Sequence, residues 1–277
     1  MALMGIAAQL SVHASSTLLG CGSSGGVPRI GFGWGSCDPA EPRNRRRRCS
    51  LLIERQGPAG RTTVLIDTGP DMRQQLLDAE VDWVDGVLYT HEHADHTHGI
   101  DDLRVLAINK RRRVDVHADA QTATLLRSRF SYCFETPKGS SYPPILTMHP
   151  LEIGVAMTVE GAGGSIETLP FDQDHGDIQS LGFRIGNFAY SSDVNGLAQA
   201  SEAMLQGLDT WVVDALRPQF HPSHWSLPET LDWIRRLRPR RAILTNMHTD
   251  MDYETLRRTL PPGVEPGFDG LRIAIDE

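Results

Sequence analysis

Short apolar runs separated by turn-forming residues dominate the chain. Thr17–Gly20, Ser50–Glu54, Thr63–Asp67 and Val87–Tyr89 read as strands, each brief and bounded by turn signals. Met72–Ala79 has helical composition, and Asp101–Asn109 places Leu103, Leu106 and Ala107 on one helical face. Val114–His117 reads as a strand and Ala120–Arg129 as a helix. A second strand-rich half follows, with strands at Met157–Glu160, Ser165–Pro170, Leu181–Ile185 and Phe188–Ser191. Next come a helix near Leu197–Gln206, a strand at Trp211–Asp214, a helix at Leu227–Leu237 and a strand at Ala242–Thr245. A helix at Tyr253–Thr259 and a strand at Leu271–Ile275 complete the pattern. Leu227, Leu231, Ile234 and Leu237 recur at helical spacing, and Pro228 stands early in that helix, where it is tolerated. Two halves, each with strands first and helices after, predict an α/β fold of two packed sheets with helices outside. No repeat, low-complexity tract or linker divides residues 1–277, which read as one domain. Phe130–Pro150 differs in character. Pro137, Gly139, Pro143, Pro144 and Pro150 alternate there with Phe130, Tyr132, Phe134 and Tyr142, which predicts a lid or an interface such as a homodimer would use.

The net charge of the 277 residues is −8, which does not favour nucleic acid as a partner. Local charge differs. Arg43 and Arg45–Arg48 form one basic run and Lys110–Arg113 another; each reads as a solvated face or as anion attraction near a phosphate-handling site. Four scattered cysteines are too few for a disulfide framework and fit a reducing cytoplasm. No apolar run reaches the ~18 residues of a membrane-spanning helix. Leu18-Leu19-Gly20-Cys21 is similar to a lipoprotein cleavage box. No Lys or Arg precedes it, and Gln9, Ser11, His13, Ser15 and Ser16 break the stretch before it, which argues against a secretion signal.

The chemistry concentrates in Thr90–Gly99, where His91-x-His93-x-Asp95-His96 follows a short strand. Four metal-ligand side chains within six residues are hard to explain as packing. The turn sends His91 and His93 towards one ion, while Asp95 and His96 face a second point. Neutral imidazoles and a carboxylate suit Zn²⁺, Mn²⁺ or Fe²⁺, and the motif predicts a two-metal hydrolytic site with ions roughly 3.5–4 Å apart. Further ligands are expected just past later strands. His175, Asp193 and His248 each stand at the mouth of a β-segment. Gly20-x-Gly22-x-x-Gly25 also follows a strand, but Gly26-Val27-Pro28 and Gly31, Gly33 and Gly35 forbid the helix that a dinucleotide site needs. A glycine-rich loop whose amides lie near the active site fits better.

These segments resemble the metallo-β-lactamase superfamily. Within it they are similar to the phosphoribosyl cyclic phosphodiesterases of phosphonate breakdown. The matching stretches are Gly20–Gly31, Pro42–Glu54, Leu65–Met72, Thr90–Arg104, Tyr190–Asp193, His221–Leu227 and Leu244–Tyr253. The resemblance implies an αββα sandwich of two mixed β-sheets flanked by helices. It implies that His91, His93 and His175 hold a first metal, that Asp95, His96 and His248 hold a second, and that Asp193 bridges them. Asp67 would orient the ligand loop from beneath. His224 would be the catalytic histidine, with His221 as its rival. Arg104, His221 and Ser24 are candidate substrate contacts, and an arginine of the 43–48 run is an alternative phosphate clamp. Many relatives carry a C-x-C-x2-C structural zinc site. Here those positions are Phe32, Trp34 and Cys37, and the fourth is Met251. One thiol cannot hold zinc tetrahedrally, so no structural zinc is expected, and Phe32 and Trp34 would fix the loop by packing.

The expected activity is hydrolysis of a small cyclic or nucleotide-like phosphodiester. A water shared by two divalent ions (zinc or manganese, with iron as a further candidate) attacks phosphorus, and His224 protonates the leaving oxygen. The competing readings are a thioester hydrolase of the glyoxalase II type, an RNA-processing nuclease, and an inactive metal- or nucleotide-binding protein.

Overall fold

A computed structural model of the chain describes residues 13–275. Gln9 and Ser11, part of the argument against a secretion signal, lie outside the described residues. The first half contributes β1 (His13–Gly20), β2 (Ser50–Gly57), β3 (Gly60–Ile66), β4 (Gly86–Leu88), β5 (Val114–Ala118) and β6 (Leu146–Pro150). The second contributes β7 (Met157–Val159), β8 (Ile166–His175), β9 (Ile178–Ile185), β10 (Phe188–Ser191), β11 (Thr210–Asp214), β12 (Arg241–Thr245) and β13 (Val264–Pro266). β14 (Leu271–Ile275) returns to the first sheet beside β1. The two seven-stranded sheets run β14-β1-β2-β3-β4-β5-β6 and β13-β12-β11-β10-β9-β8-β7.

Both sheets are mixed, and the connections say why. β2 and β3 join through a tight turn at Gly57–Gly60 and pair antiparallel. β3 to β6 pair parallel, so each connection must cross over. Those crossovers are α1 (Met72–Asp78), then α2 (Ala94–Thr97) with α3 (Leu103–Lys110), then α4 (Ala120–Arg129) with α5 (Ser131–Phe134). The second sheet repeats the plan. β7 to β10 are antiparallel, and β10 to β13 are parallel. Their crossovers are α6 (Gln199–Met204), α7 (Leu227–Leu237) and α8 (Tyr253–Thr259).

Side-chain alternation divides the core into layers. Leu51, Ile53, Val64 and Ile66 point between the sheets, against Phe171, Phe183 and Tyr190. Their neighbours Leu52 and Leu65 point outward to Met72, Leu76, Leu103 and Leu106 under the helices. Strands buried on both faces read as unbroken apolar runs, and the result is the expected αββα sandwich. Helix ends follow local chemistry. Ser226 and Glu229 form a capping box at the start of α7, and Asp119 and Asp252 cap α4 and α8.

Two stretches are more regular than their sequence pattern suggests. Phe130–Pro150 is not a free loop. Ser131–Phe134 is helical, and Leu146–Pro150 is the edge strand of the first sheet, hydrogen-bonded to β5. Only the span between is irregular, with Tyr142 72% exposed. β13 gave no signal at all, being three residues that include a proline. After the glycine-rich loop the chain forms only a 3-10 turn at Pro42–Asn44 before β2.

The ends of β3 and β4 meet through glycines. Thr68 N donates to His96 O at 2.8 Å and Gly99 N to Thr68 O at 2.7 Å. A β-carbon on Gly99 would stand 2.1 Å from Gly69 O. Gly99→Ala is therefore expected to cost about 1–3 kcal/mol, read by denaturant unfolding. It should also lower metal uptake, because the same contact seats Asp95 and His96; unchanged stability would show that the two loops move apart freely.

Candidate metal centre

Loops at the C-terminal ends of the strands converge between the two sheets. They line a cavity of about 200 Å³ with Ser23, Ser24, Arg29, His93, Asp95, His175, Asp193, Arg217, His221, Ser223, His224 and His248. A larger cavity of about 620 Å³, beside Arg61, Trp83 and Lys110, contains none of the histidines.

Three overlapping groups have ligand atoms within 4.8 Å of one another: His91, His93 and His175; His91, His96 and Asp193; and His175, Asp193 and His224. His93 Nδ1 stands 3.3 Å from His175 Nε2. Asp193 Oδ1 lies 3.2 Å from His96 Nε2, and Asp193 Oδ2 lies 3.6 Å from His175 Nε2. Asp95 Oδ2 is 3.3 Å from His96 Nε2. Two buried atoms here lack hydrogen-bond partners, His91 Nε2 and Asp193 Oδ1. Orphaned lone pairs of this kind are costly in a protein interior, and a divalent cation would satisfy both. The donor set of imidazoles and carboxylates thus fits divalent metal binding.

Three of the rings are turned by a group behind them. Asp67 is wholly buried and accepts from Thr90 N at 2.8 Å, Thr90 Oγ1 at 2.8 Å and His96 Nδ1 at 2.7 Å. His175 Nδ1 donates to Ser223 O at 2.7 Å, and His224 Nδ1 donates to Asp214 Oδ2 at 2.7 Å. The opposite nitrogens are left facing the cluster. Burial, with His96 beside it, pushes the His91 ring well below the ordinary histidine range, and burial also lowers His175. Both are therefore neutral, as ligands must be. Burial would raise Asp193, but His96, by charge and by hydrogen bonding, holds it well below the usual carboxylate range.

The remaining expected residues divide. His248, His221 and Ser24 reach the same cavity. His248, however, belongs to none of the three tight groups; its Nε2 lies 2.6 Å from Arg29 Nη1. Arg104 does not reach the cavity. It is paired with Asp101 at 2.7 Å and stacks over Tyr132. The 43–48 run is likewise committed elsewhere, Arg43 to Glu41, Arg47 to Asp269 and Arg48 to Asp71. Phe32 does not pack, being 77% exposed. The loop is instead fastened by Ser36 N to Thr249 O at 2.9 Å and Asp38 N to Asp252 Oδ2 at 3.1 Å. Sequence reasoning missed Asp214, Arg29 and Arg217. Asp214 carries the signal that marked Asp193, an acid ending an apolar strand. The two arginines carry none.

Asp193→Ala should lower metal content at more than one position by elemental analysis, since Asp193 belongs to two of the three groups; full occupancy would show that it bridges nothing. Cys37 Sγ faces Arg46 Nη1 at 3.9 Å. Cys37→Ser should leave metal content unchanged, and loss of one zinc per chain would reveal a thiolate ligand.

Residues 62–247 match the family model described as the beta-lactamase superfamily domain. A protein of Porphyromonas gingivalis (strain ATCC BAA-308 / W83) named octanoyltransferase is 34% identical over 263 residues, which are 94% of this chain and 51% of that protein. The chain thus spans about half the length of that relative. The crystal structure of a new diphosphatase from the PhnP family aligns with a TM-score of 0.85 at 33% identity, covering 96% of this chain and 98% of that one. Zn²⁺-bound PqqB from Methylobacterium extorquens shares the fold, with a TM-score of 0.69 at 15% identity over 94% of this chain and 100% of that one. The chain belongs to the beta-lactamase superfamily, with the metallo-β-lactamase fold, and resembles the PhnP branch within it.

Proposed function

We propose that this protein is a metal-dependent phosphodiesterase acting on small cyclic or nucleotide-like phosphates. In this reading His91, His93 and His175 would hold one ion, Asp95, His96 and His248 would hold a second, and Asp193 would be shared between them. The ions would lower the pKa of the attacking water and neutralise charge on the phosphoryl oxygens.

The observation that carries the reading is the His224–Asp214 pair. Asp214 fixes the ring so that His224 Nε2 faces Asp193 Oδ2 at 3.9 Å across the cavity. Burial opposes protonation of His224, but the Asp214 carboxylate outweighs it and raises the ring to about 9. Asp214 is itself pushed up to about 7 by burial, with His224 pulling it down. The buried carboxylate thus favours the protonated imidazole. A proton donor held there serves an alkoxide leaving group, whereas a thiolate departs without one. The small cavity and the similarity to a PhnP-family diphosphatase support a small phosphate ester. An acyl-transfer reading finds little support, because Cys21, Cys37, Cys49 and Cys133 are buried and none lines the cavity.

The metal-loaded protein should cleave bis(p-nitrophenyl) phosphate and leave a glutathione thioester intact; the reverse preference would replace this reading with the thioesterase. His224→Ala should lower the rate on a ribose alkoxide leaving group by ~10²-fold or more and on p-nitrophenolate far less. Equal losses would mean that His224 binds rather than protonates, and a normal alkoxide rate would shift the role to His221. The alkoxide rate should also fall as pH rises through about 9, where the raised His224 loses its proton. Asp214→Asn removes the carboxylate that raises it, so the fall should move to lower pH.

A further inference from the structure

Two cationic side chains of the cavity and the glycine-rich loop itself are unused by the phosphodiesterase reading. Arg29 runs across Gly25. A β-carbon there would stand 2.3 Å from Arg29 Nε and 2.7 Å from its Cγ, so the missing side chain at position 25 is what lets Arg29 reach the cavity. Its Nη1 ends 2.6 Å from His248 Nε2. Arg217 enters from the loop after β11. The carbonyls of Gln219 and Phe220 hold its Nε and Nη2 at 3.4 and 2.9 Å, leaving Nη1 for another partner. Neither guanidinium has a carboxylate partner among the described residues, whereas Arg43, Arg47, Arg48 and Arg104 all do. Ser23 lines the same cavity, is 3% exposed, and has a hydroxyl without a hydrogen-bond partner. Two guanidiniums without a carboxylate partner and an orphaned hydroxyl match a tetrahedral oxyanion, which offers several acceptors in fork geometry.

We propose that Arg29, Arg217 and Ser23 form an oxyanion subsite on the His248 side of the cluster, holding the non-bridging oxygens of the substrate's phosphoryl group. The proposal rests on the phosphodiesterase reading and gives these residues the clamp that Arg104 does not supply. Arg29 donates to the His248 lone pair that a metal would need, so it exchanges that contact for the phosphoryl oxygens. Gly25 is then a positioning residue that acts through Arg29.

The test is calorimetric binding of inorganic phosphate to the zinc-loaded protein, with zinc content measured on each sample. Arg29→Gln and Arg217→Gln should each weaken phosphate roughly ten- to hundred-fold, the loss of one charge-assisted hydrogen bond or more. Arg29→Lys should recover part of the loss. Gly25→Ala should act in the same direction with Arg29 intact, and Arg104→Gln should leave binding unchanged. Native phosphate affinity in Arg217→Gln and Gly25→Ala at native zinc content would overturn the proposal, even if Arg29→Gln disturbed the metals. Failure of the parent reading shows separately, as native protein that binds phosphate yet does not cleave bis(p-nitrophenyl) phosphate.

Discussion

A carboxylate removed from water is tolerable only when its oxygens are occupied, and Asp67 meets that condition entirely with the residues that build the metal cluster. It is fully buried, takes a left-handed φ of 66°, and receives three donors from Thr90 and His96. Backbone strain of this kind persists only where surrounding contacts enforce it. Here they tie the end of β3 to the end of β4 and leave one His96 nitrogen turned to Asp95 and Asp193. Removing either partner would strand a buried charge, so the loop geometry and the ring orientation stand or fall together.

The same device recurs on the second sheet with other groups. A backbone carbonyl, Ser223 O, turns His175, and a buried acid, Asp214, turns His224. Asp214 also accepts from Val194 N at 3.1 Å, next to Asp193. Asn246 donates to Ser192 O at 2.8 Å, on the other side of Asp193. The strand ends of β10, β11 and β12 are thereby stitched to one another around the Asp193 carboxylate. The parallel half of each sheet contributes most of this rim, since its loops leave the sheet in the same direction, while His175 joins from the end of antiparallel β8 and the glycine-rich loop from the end of β1. That is why residues far apart in the chain meet within a few ångströms.

How much of this was legible depended on the range of the interaction. α7, α8 and β14 read at their observed bounds because what sets them is local: helical spacing with an early proline in α7, a short apolar run in β14, and helix starts that the structure shows capped by Ser226 with Glu229 and by Asp252. The 91–96 motif is local in the same way, four ligand-type side chains within six residues. Leu146–Pro150 was obscured because its strand character comes from pairing with β5, while the prolines and aromatics that precede it speak for a loop. Arg29 and Arg104 show the limit most plainly. Arg104 lies near the motif in sequence, yet Asp101 three residues away captures it. Arg29 is 219 residues from His248, and only the packing of the glycine-rich loop across β12's exit brings them together.

That packing has a cause of its own. Arg46 is 2% exposed, but its contacts to Cys37 Sγ at 3.9 Å and Asn44 Oδ1 at 3.4 Å are long, and its Nε has no partner. A buried guanidinium so weakly held does not by itself fix a loop. Asn44 does. Its amide donates to Asp38 O at 3.1 Å and Asp252 Oδ2 at 2.8 Å, and its carbonyl accepts from Tyr253 N at 2.8 Å. Asp252 in turn caps α8 through Thr255 N at 2.9 Å and accepts from Asp38 N. These bonds hold down Asp252, four residues after His248, and Asp38, at the far end of the loop that carries Arg29. The frame that aligns the guanidinium with the imidazole is thus a neutral amide hub, satisfied on each side, in a region where the chain offers one thiol instead of four metal ligands.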